Sequence, residues 1–197
     1  VIAMITLALD TSTRTGDCAV LRGDDVLAEV PGEASRTHAE RLPRDLMTVL
    51  DRAGLALVDV DVFAVAIGPG SFTGLRVGIA TMQGLALAAG RPLVGVPVLD
   101  ALAHAASGAV EATTHVPAWV DAWRGEVYAA LYDGTRVVEG ASVGPPAAIL
   151  ARLRGPHALF IGDGVGAHRE AVSIAMGARG VFAPVLEPPL AGIIARL

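Results

Sequence analysis

Short uninterrupted apolar runs separated by Gly, Asp and Thr open the chain. Ile5 to Leu9, Asp17 to Leu21 and Val26 to Val30 read as three strands, with Gly23-Asp24-Asp25 as a tight turn between the last two, so the chain begins as a meander. The period then changes. Thr37-His38-Ala39-Glu40 has the form of a capping box, and Leu42, Leu46, Val49 and Leu50 follow at helical spacing. Pro43 falls inside that pattern and predicts a kink or restart, while Gly54 predicts the C-cap. Val62 to Ile67 is a continuous apolar run of the kind found in buried strands. A turn at Gly68-Pro69-Gly70 then leads into a helix from about Ser71 to Ala89, stopped by Gly90 and Pro92, and Leu93 to Val98 is one more strand.

The same order begins again further along. Ala118-Trp-Val-Asp121 places a carboxylate just after an apolar strand, as Leu7-Ala-Leu-Asp10 does. Val127 to Leu131 matches Asp17 to Leu21, Asp133-Gly134 supplies the next hairpin turn, and Val137-Val138 lies beyond it. A helical pattern at Ala147 to Leu153, a strand at Ala158 to Ile161 and the triplet Gly162-Asp163-Gly164 complete the echo. The pattern predicts an α/β protein made of two copies of one unit, residues 1–100 and 101–197, each a mixed sheet with a three-stranded meander and flanking helices. In that arrangement the Asp10 and Asp121 turns are expected to face one cleft, because ligands of open α/β sheets bind beyond the carboxyl ends of strands.

Composition narrows the function. At 53% hydrophobic and 18% charged residues the chain buries a real core. The apolar stretch Val77 to Gly90 is too short and too polar for a transmembrane helix, and the start lacks a basic region before its apolar residues, so a soluble cytoplasmic protein is expected. Cys18 is the only cysteine, which excludes an intrachain disulfide and a cysteine metal site. A net charge of −5 opposes independent binding to a phosphate backbone. All fifteen cations are Arg, so mechanisms that need a lysine are excluded.

Asp10-Thr11-Ser12-Thr13 suits either a loop facing a nucleotide phosphate and its Mg²⁺ or an ordinary hairpin turn. Gly68, Gly70 and Ser71 lie between a strand and a helix, where backbone N–H groups can hold an anion. The glycine spacing fits neither a dinucleotide fingerprint nor a Walker A loop, and no Lys follows, so a sharp turn capped by Ser71 reads equally well. Gly74 and Gly78, one turn apart, predict a closely packed helix face continuing to Thr81 and Leu85, inside the lobe or between subunits. None of the five histidines is in H-x-x-x-H or H-E-x-x-H spacing. No G-x-S-x-G elbow is present either. Asp121 to Tyr128 gathers charges and aromatics in a turn that reads as a solvated hairpin or as cleft lining.

Gly68 to Gly78, Leu7 to Ser12 and His38 to Leu42, in this order and spacing, closely resemble the TsaB (YeaZ) family, and Asp121 to Tyr128 looks like its second-lobe signature. The resemblance runs through most of the chain. It implies two actin-like (ribonuclease H-like) lobes and a non-catalytic subunit of the machinery that puts threonylcarbamoyl on adenosine 37 of tRNA. The implied partners are the catalytic homologue TsaD as a heterodimer and the ATPase TsaE, with a homodimer when alone, tRNA contacted only through the complex, and no membrane. TsaD-like proteins carry an H-x-x-x-H metal pair that is missing here. No cofactor of its own is implied, with ATP or ADP at the complex interface. Association is expected through His38, Arg41, Leu42, Leu46 and Leu50 on one helix and Arg76, Gly78, Thr81 and Leu85 on the other. Asp10, Thr11, Ser12, Gly68, Gly70, Ser71 and Asp121 form a vestigial nucleotide set. Three departures stand out: Trp123 sits where the family usually has Arg, its C-terminal tyrosine-leucine-arginine tail is absent, and Val1 to Ala3 precede the expected start at Met4. The competing functions are an ATPase or small-molecule kinase using Asp10 and Asp121 around Mg-ATP, and an M22-type peptidase.

Overall fold

The computed structural model describes residues 3–33, 35–109, 115–155 and 157–197. Val1 and Ile2, placed before the expected start, lie outside them. The chain divides into two units, Val1–Val98 with Pro189–Leu197, and Leu99–Pro188.

In the first unit β1 (Ile5–Asp10), β2 (Asp17–Arg22) and β3 (Asp25–Pro31) form the predicted antiparallel meander, and β4 (Val62–Ala66) and β5 (Leu93–Val96) add in parallel beyond β1. The sheet order is β3-β2-β1-β4-β5. Alternate residues of each strand face opposite sides. One side presents Leu7, Leu9, Cys18, Val20, Phe63 and Val65, and α1 (His38–Ala53) and α2 (Phe72–Ala89) close it with Leu42, Leu46, Leu50, Met82 and Ala86. The α1 capping box forms: the Glu40 carboxylate accepts the Thr37 N–H at 2.8 Å and the Thr37 hydroxyl at 2.7 Å. Gly54 caps its other end in the left-handed region. Pro43 does not restart the helix: α1 continues through it as one element, with a single backbone donor missing near its N-terminus and the buried Leu42 and Leu46 on either side.

The second unit repeats the plan. Helix α3 (Val98–Ala106) leads into β6 (His115–Asp121), β7 (Val127–Asp133) and β8 (Arg136–Gly144), another antiparallel meander. After α4 (Pro146–Leu150) come β9 (Ala158–Phe160), α5 (Asp163–Ala167), α6 (Arg169–Met176) and β10 (Gly180–Phe182). The order β8-β7-β6-β9-β10 is that of the first sheet element for element, so the two lobes are duplicates with the actin-like plan. The core here is Trp119, Phe160, Val165, Val172 and Met176, with Trp119 and Phe160 edge to face at 5.6 Å.

The far side of each sheet is covered by a helix that the periodicity did not predict. Tyr132 donates to Asp100 of α3 at 2.6 Å, and burial, reinforced by this bond, pushes the phenol up. In the first unit the cover is α7 (Ala191–Ile194), at the end of the chain. A division at residue 100 with all later residues in the second lobe is therefore corrected: Pro189–Leu197 pack on the first sheet. The reason is polar as well as apolar. Ala191 and Ile194 are buried, and the Asp17 carboxylate accepts the N–H groups of Leu190 at 3.2 Å and Ala191 at 2.8 Å.

Asp17 pairs in register with Asp10, and burial plus the Asp10 charge raise its pKa to about 7, against the two N–H groups that lower it. A raised carboxyl is protonated in the fold at a pH where the unfolded chain has lost the proton. Its stabilising contribution is complete below the unfolded value near 3.8 and is lost as pH rises through about 7. Denaturant midpoints of the native chain should fall between pH 4 and pH 8, and Asp17→Asn should flatten that slope; an equally steep profile in the variant would assign the dependence to another group.

Candidate functional site

The site that the glycine motif builds lies where α2 meets the β1–β2 turn. Val62–Ala66 ends in the turn at Gly68 and Gly70, and Ser71 caps α2 by accepting the Gly74 N–H at 3.2 Å. The Ser71 N–H donates to the Ser12 carbonyl at 2.7 Å, tying the two turns together. Glycine is required along this seam. A Cβ at Gly70 would lie 2.7 Å from the Ser12 Cβ, and one at Gly78 would fall inside the Thr11 hydroxyl. Gly74 faces the Thr11 carbonyl in the same way.

The α1 side closes the turn from the other edge. Arg41 is buried, donates to Asp45 Oδ2 at 2.6 Å and to the Thr15 carbonyl, and donates to His38 Nδ1 at 2.9 Å. Because a guanidinium only donates, His38 Nδ1 accepts, and its Nε2–H is assigned as donor to the Thr13 carbonyl at 2.9 Å. Burial holds the His38 pKa below the usual histidine range, which keeps the ring in this neutral form, and the Arg41 charge acts in the same sense against the Thr13 carbonyl. Nothing in the residue pattern announced this clamp; its only signal is His-x-x-Arg opening a helix that follows a Thr-rich turn.

Asp10 is 2% exposed, Thr11 0% and Ser12 3%. The Asp10 carboxylate accepts the Ser12 N–H at 2.8 Å, and burial raises its pKa against that bond. The Thr11 hydroxyl is buried without a partner. Among the described residues Asp10 and Asp17 make no ion pair, and no three His, Cys, Asp or Glu side chains gather as a metal-binding group. The vestigial nucleotide set thus divides. Asp10, Thr11, Ser12, Gly70 and Ser71 come together as a sealed seam with Gly68 just before it, and Asp121 belongs to the second unit.

The partner-binding set divides too. Leu42, Leu46 and Leu50 fill the core of their own lobe, Arg41 is spent on the Thr15 carbonyl and Asp45, and Gly78 is buried against Thr11. Those five positions lie in the interior of their own lobe, Leu42, Leu46 and Leu50 on the stripe of α1 that faces the sheet. His38, Thr81 and Leu85 are half-buried and Arg76 is exposed. The outward stripe of α2 is Phe72, Arg76, Ala80, Gln83, Gly84 and Leu87, with Phe72 72% and Leu87 84% exposed and the Arg76 guanidinium 4.8 Å from the Phe72 ring centre. In the second unit Asp163, whose pKa burial raises, accepts the N–H groups of Asp121 at 3.0 Å and Gly164 at 2.8 Å, and the Asp121 carboxylate accepts the Trp123 N–H at 2.9 Å.

Gly78→Ala should destabilise the chain by about 1–3 kcal/mol through overpacking, whereas Gly84→Ala, with open space around its Cα, should stabilise it by up to about 1 kcal/mol through helix propensity. Urea melts of Gly78→Ala alone and combined with Thr11→Ala check the seam; the second change should recover part of the loss.

A family model described as TsaD, tRNA N6-adenosine threonylcarbamoyltransferase, matches residues 29–175. The tRNA threonylcarbamoyladenosine biosynthesis protein TsaB of Escherichia coli K12 is 40% identical over 130 residues, 64% of this chain and 54% of that protein. TsaB of Bacillus subtilis is 31% identical over 183 residues, 90% of this chain and 79% of that one. The solved structure of YeaZ from Pseudomonas aeruginosa superposes with a TM-score of 0.78 at 32% identity, covering 98% of this chain and 90% of that chain. Against several relatives at 40% identity the chain spans about half their length, from 39% to 61%.

Proposed function

The chain belongs to the TsaB (YeaZ) family, and from that membership we propose that it is a non-catalytic subunit required for threonylcarbamoylation of adenosine 37 in tRNA, binding and activating the catalytic homologue TsaD. The observation that carries this reading is the use made of the glycine motif. In the first lobe the strand-end carboxylate and hydroxyls that would meet a phosphate are buried beneath α2, so the motif serves packing. The same packing leaves the outer face of α2 with large apolar groups at its two ends, Phe72 and Leu87, and Arg76, Ala80, Gln83 and Gly84 between them, an exposed face with apolar anchors that a second helix can meet.

That stripe is the docking face for TsaD and, in its absence, for a second copy of this chain. TsaE joins the assembly, tRNA is held by the complex as a whole, and ATP or ADP belongs to the interface between subunits. The kinase alternative needs Asp10 free to face Mg-ATP, and its burial argues against it. The peptidase alternative has neither a nucleophile elbow nor a histidine metal pair in the sequence to support it. Among the described residues no helix is long and apolar enough to cross a membrane.

Reconstitution of tRNA modification from purified components with and without this chain tests the function, and product formation should require it. Leu87→Glu should weaken association with TsaD at least about tenfold, since a charge would replace an apolar anchor of the helix contact, while leaving the melting temperature unchanged. Undiminished association would remove α2 from the interface.

A further inference from the structure

The contact between Asp17 and α7 has the construction of a releasable strap. Four residues are too few for a helix to hold itself in water, so α7 is helical only while it is docked. The chain enters it through Pro188-Pro189, two residues that have no backbone N–H, and among the described residues none of residues 187–189 takes part in a backbone hydrogen bond. What holds the segment is its seat. Leu190, Ala191 and Ile194 are buried on the first sheet, Arg196 donates to the Asp24 carbonyl at 3.1 Å, and the Asp17 carboxylate accepts the Leu190 and Ala191 N–H groups.

Of these holds, the one at Asp17 can be worked by a proton. Asp17 is 5% exposed, and the groups that face it are acids: Asp10 across the pair on β1, and Glu29 on β3. Glu29 lies against the segment itself, with Oε1 2.9 Å from where a Cβ on Gly192 would stand. The nearby cations are used elsewhere. Arg41 of α1 is bonded to Asp45 and the Thr15 carbonyl, and Arg196 of the segment is turned to Asp24. An ionised Asp17 is therefore buried beside two other acids and held by N–H groups alone, and burial with the Asp10 charge outweighs those bonds, which puts its titration at about 7. Lifting α7 admits water to the carboxylate and removes that cost.

We propose that Pro189–Leu197 is a proton-gated strap, docked on the first sheet while Asp17 is protonated and released by a turn about Pro188-Pro189 when Asp17 ionises. Linkage fixes the sign. The docked state holds the Asp17 proton more tightly than the hydrated carboxyl of the released state, so docking is strongest below the ordinary value of 3.8 and weakens as pH rises through about 7. The device belongs to the first unit alone and does not depend on which partner α2 takes.

Hydrogen exchange of the full native chain, followed by NMR from about pH 5 to about pH 8 and corrected for intrinsic rates, tests the strap. The amides of Leu190 to Ile194 should exchange faster than those of β1 at every pH and at a rate that low urea leaves unchanged, the mark of a local opening. Their protection should fall at least about tenfold across the range, and less than about twofold in Asp17→Asn. In the native chain the Asp17 carboxyl carbon should titrate near 7. Exchange of these amides only as slowly as β1, protection that does not change with pH, or an equal fall in Asp17→Asn would each overturn the proposal. So would an Asp17 that titrates in the ordinary carboxylate range, a result that the native chain gives whether or not the variant folds.

Discussion

The first lobe depends on the approach of α2 to the backbone of the β1–β2 turn. Ser71 bonds to the Ser12 carbonyl, and Gly70, Gly74 and Gly78 remove every Cβ that would hold the two apart. Glycines inside a helix are unfavourable by roughly 1 kcal/mol each relative to alanine. Here the loss is offset by the burial that close approach permits, since Met82 and Ala86 on the following turns enter the core with Leu42 and Leu46 of α1. Arg41 and His38 complete the enclosure by taking the carbonyls of Thr13 and Thr15, which the tight turn leaves without backbone partners on that side.

Sealing the turn has an electrostatic consequence. Two carboxyl groups, Asp10 and Asp17, sit opposite each other in the antiparallel pair, both buried and both with raised pKa. They are held by N–H groups, from Ser12 for one and from Leu190 and Ala191 for the other. Backbone donors satisfy a buried oxygen without bringing in a second charge to be desolvated. The arrangement also recruits the end of the chain to the first sheet, which is why the last residues leave the lobe that precedes them in sequence.

The duplicated lobes keep one sheet topology and differ in what covers it. α1 and α2 are 16 and 18 residues long, whereas α4, α5 and α6 are 5, 5 and 8 residues, and the tip of the β6–β7 hairpin stays in solvent. The same strand-end position thus becomes a packing seat in one lobe and a displayed turn in the other.

Local signals in the sequence determined a great deal. The short apolar runs, the capping box at Thr37 and the glycine stops at Gly54 and Gly90 specify both meanders, α1 and α2, because each depends on neighbours a few residues apart, and the echo of Asp10 at Asp121 marks the duplication. Three spaced motifs also identified the family. Which face of a helix is inside was decided only in three dimensions. Leu42, Leu46 and Leu50 form as good a stripe for a partner as for a core, and only the sheet beneath α1 makes them core. Gly78 announced a close approach, but the neighbour it meets, Thr11, lies far away in sequence and is brought there by the parallel pairing of β4 with β1. Asp17 and the final helix meet across nearly the whole chain, through bonds to backbone N–H groups that no side-chain pattern records.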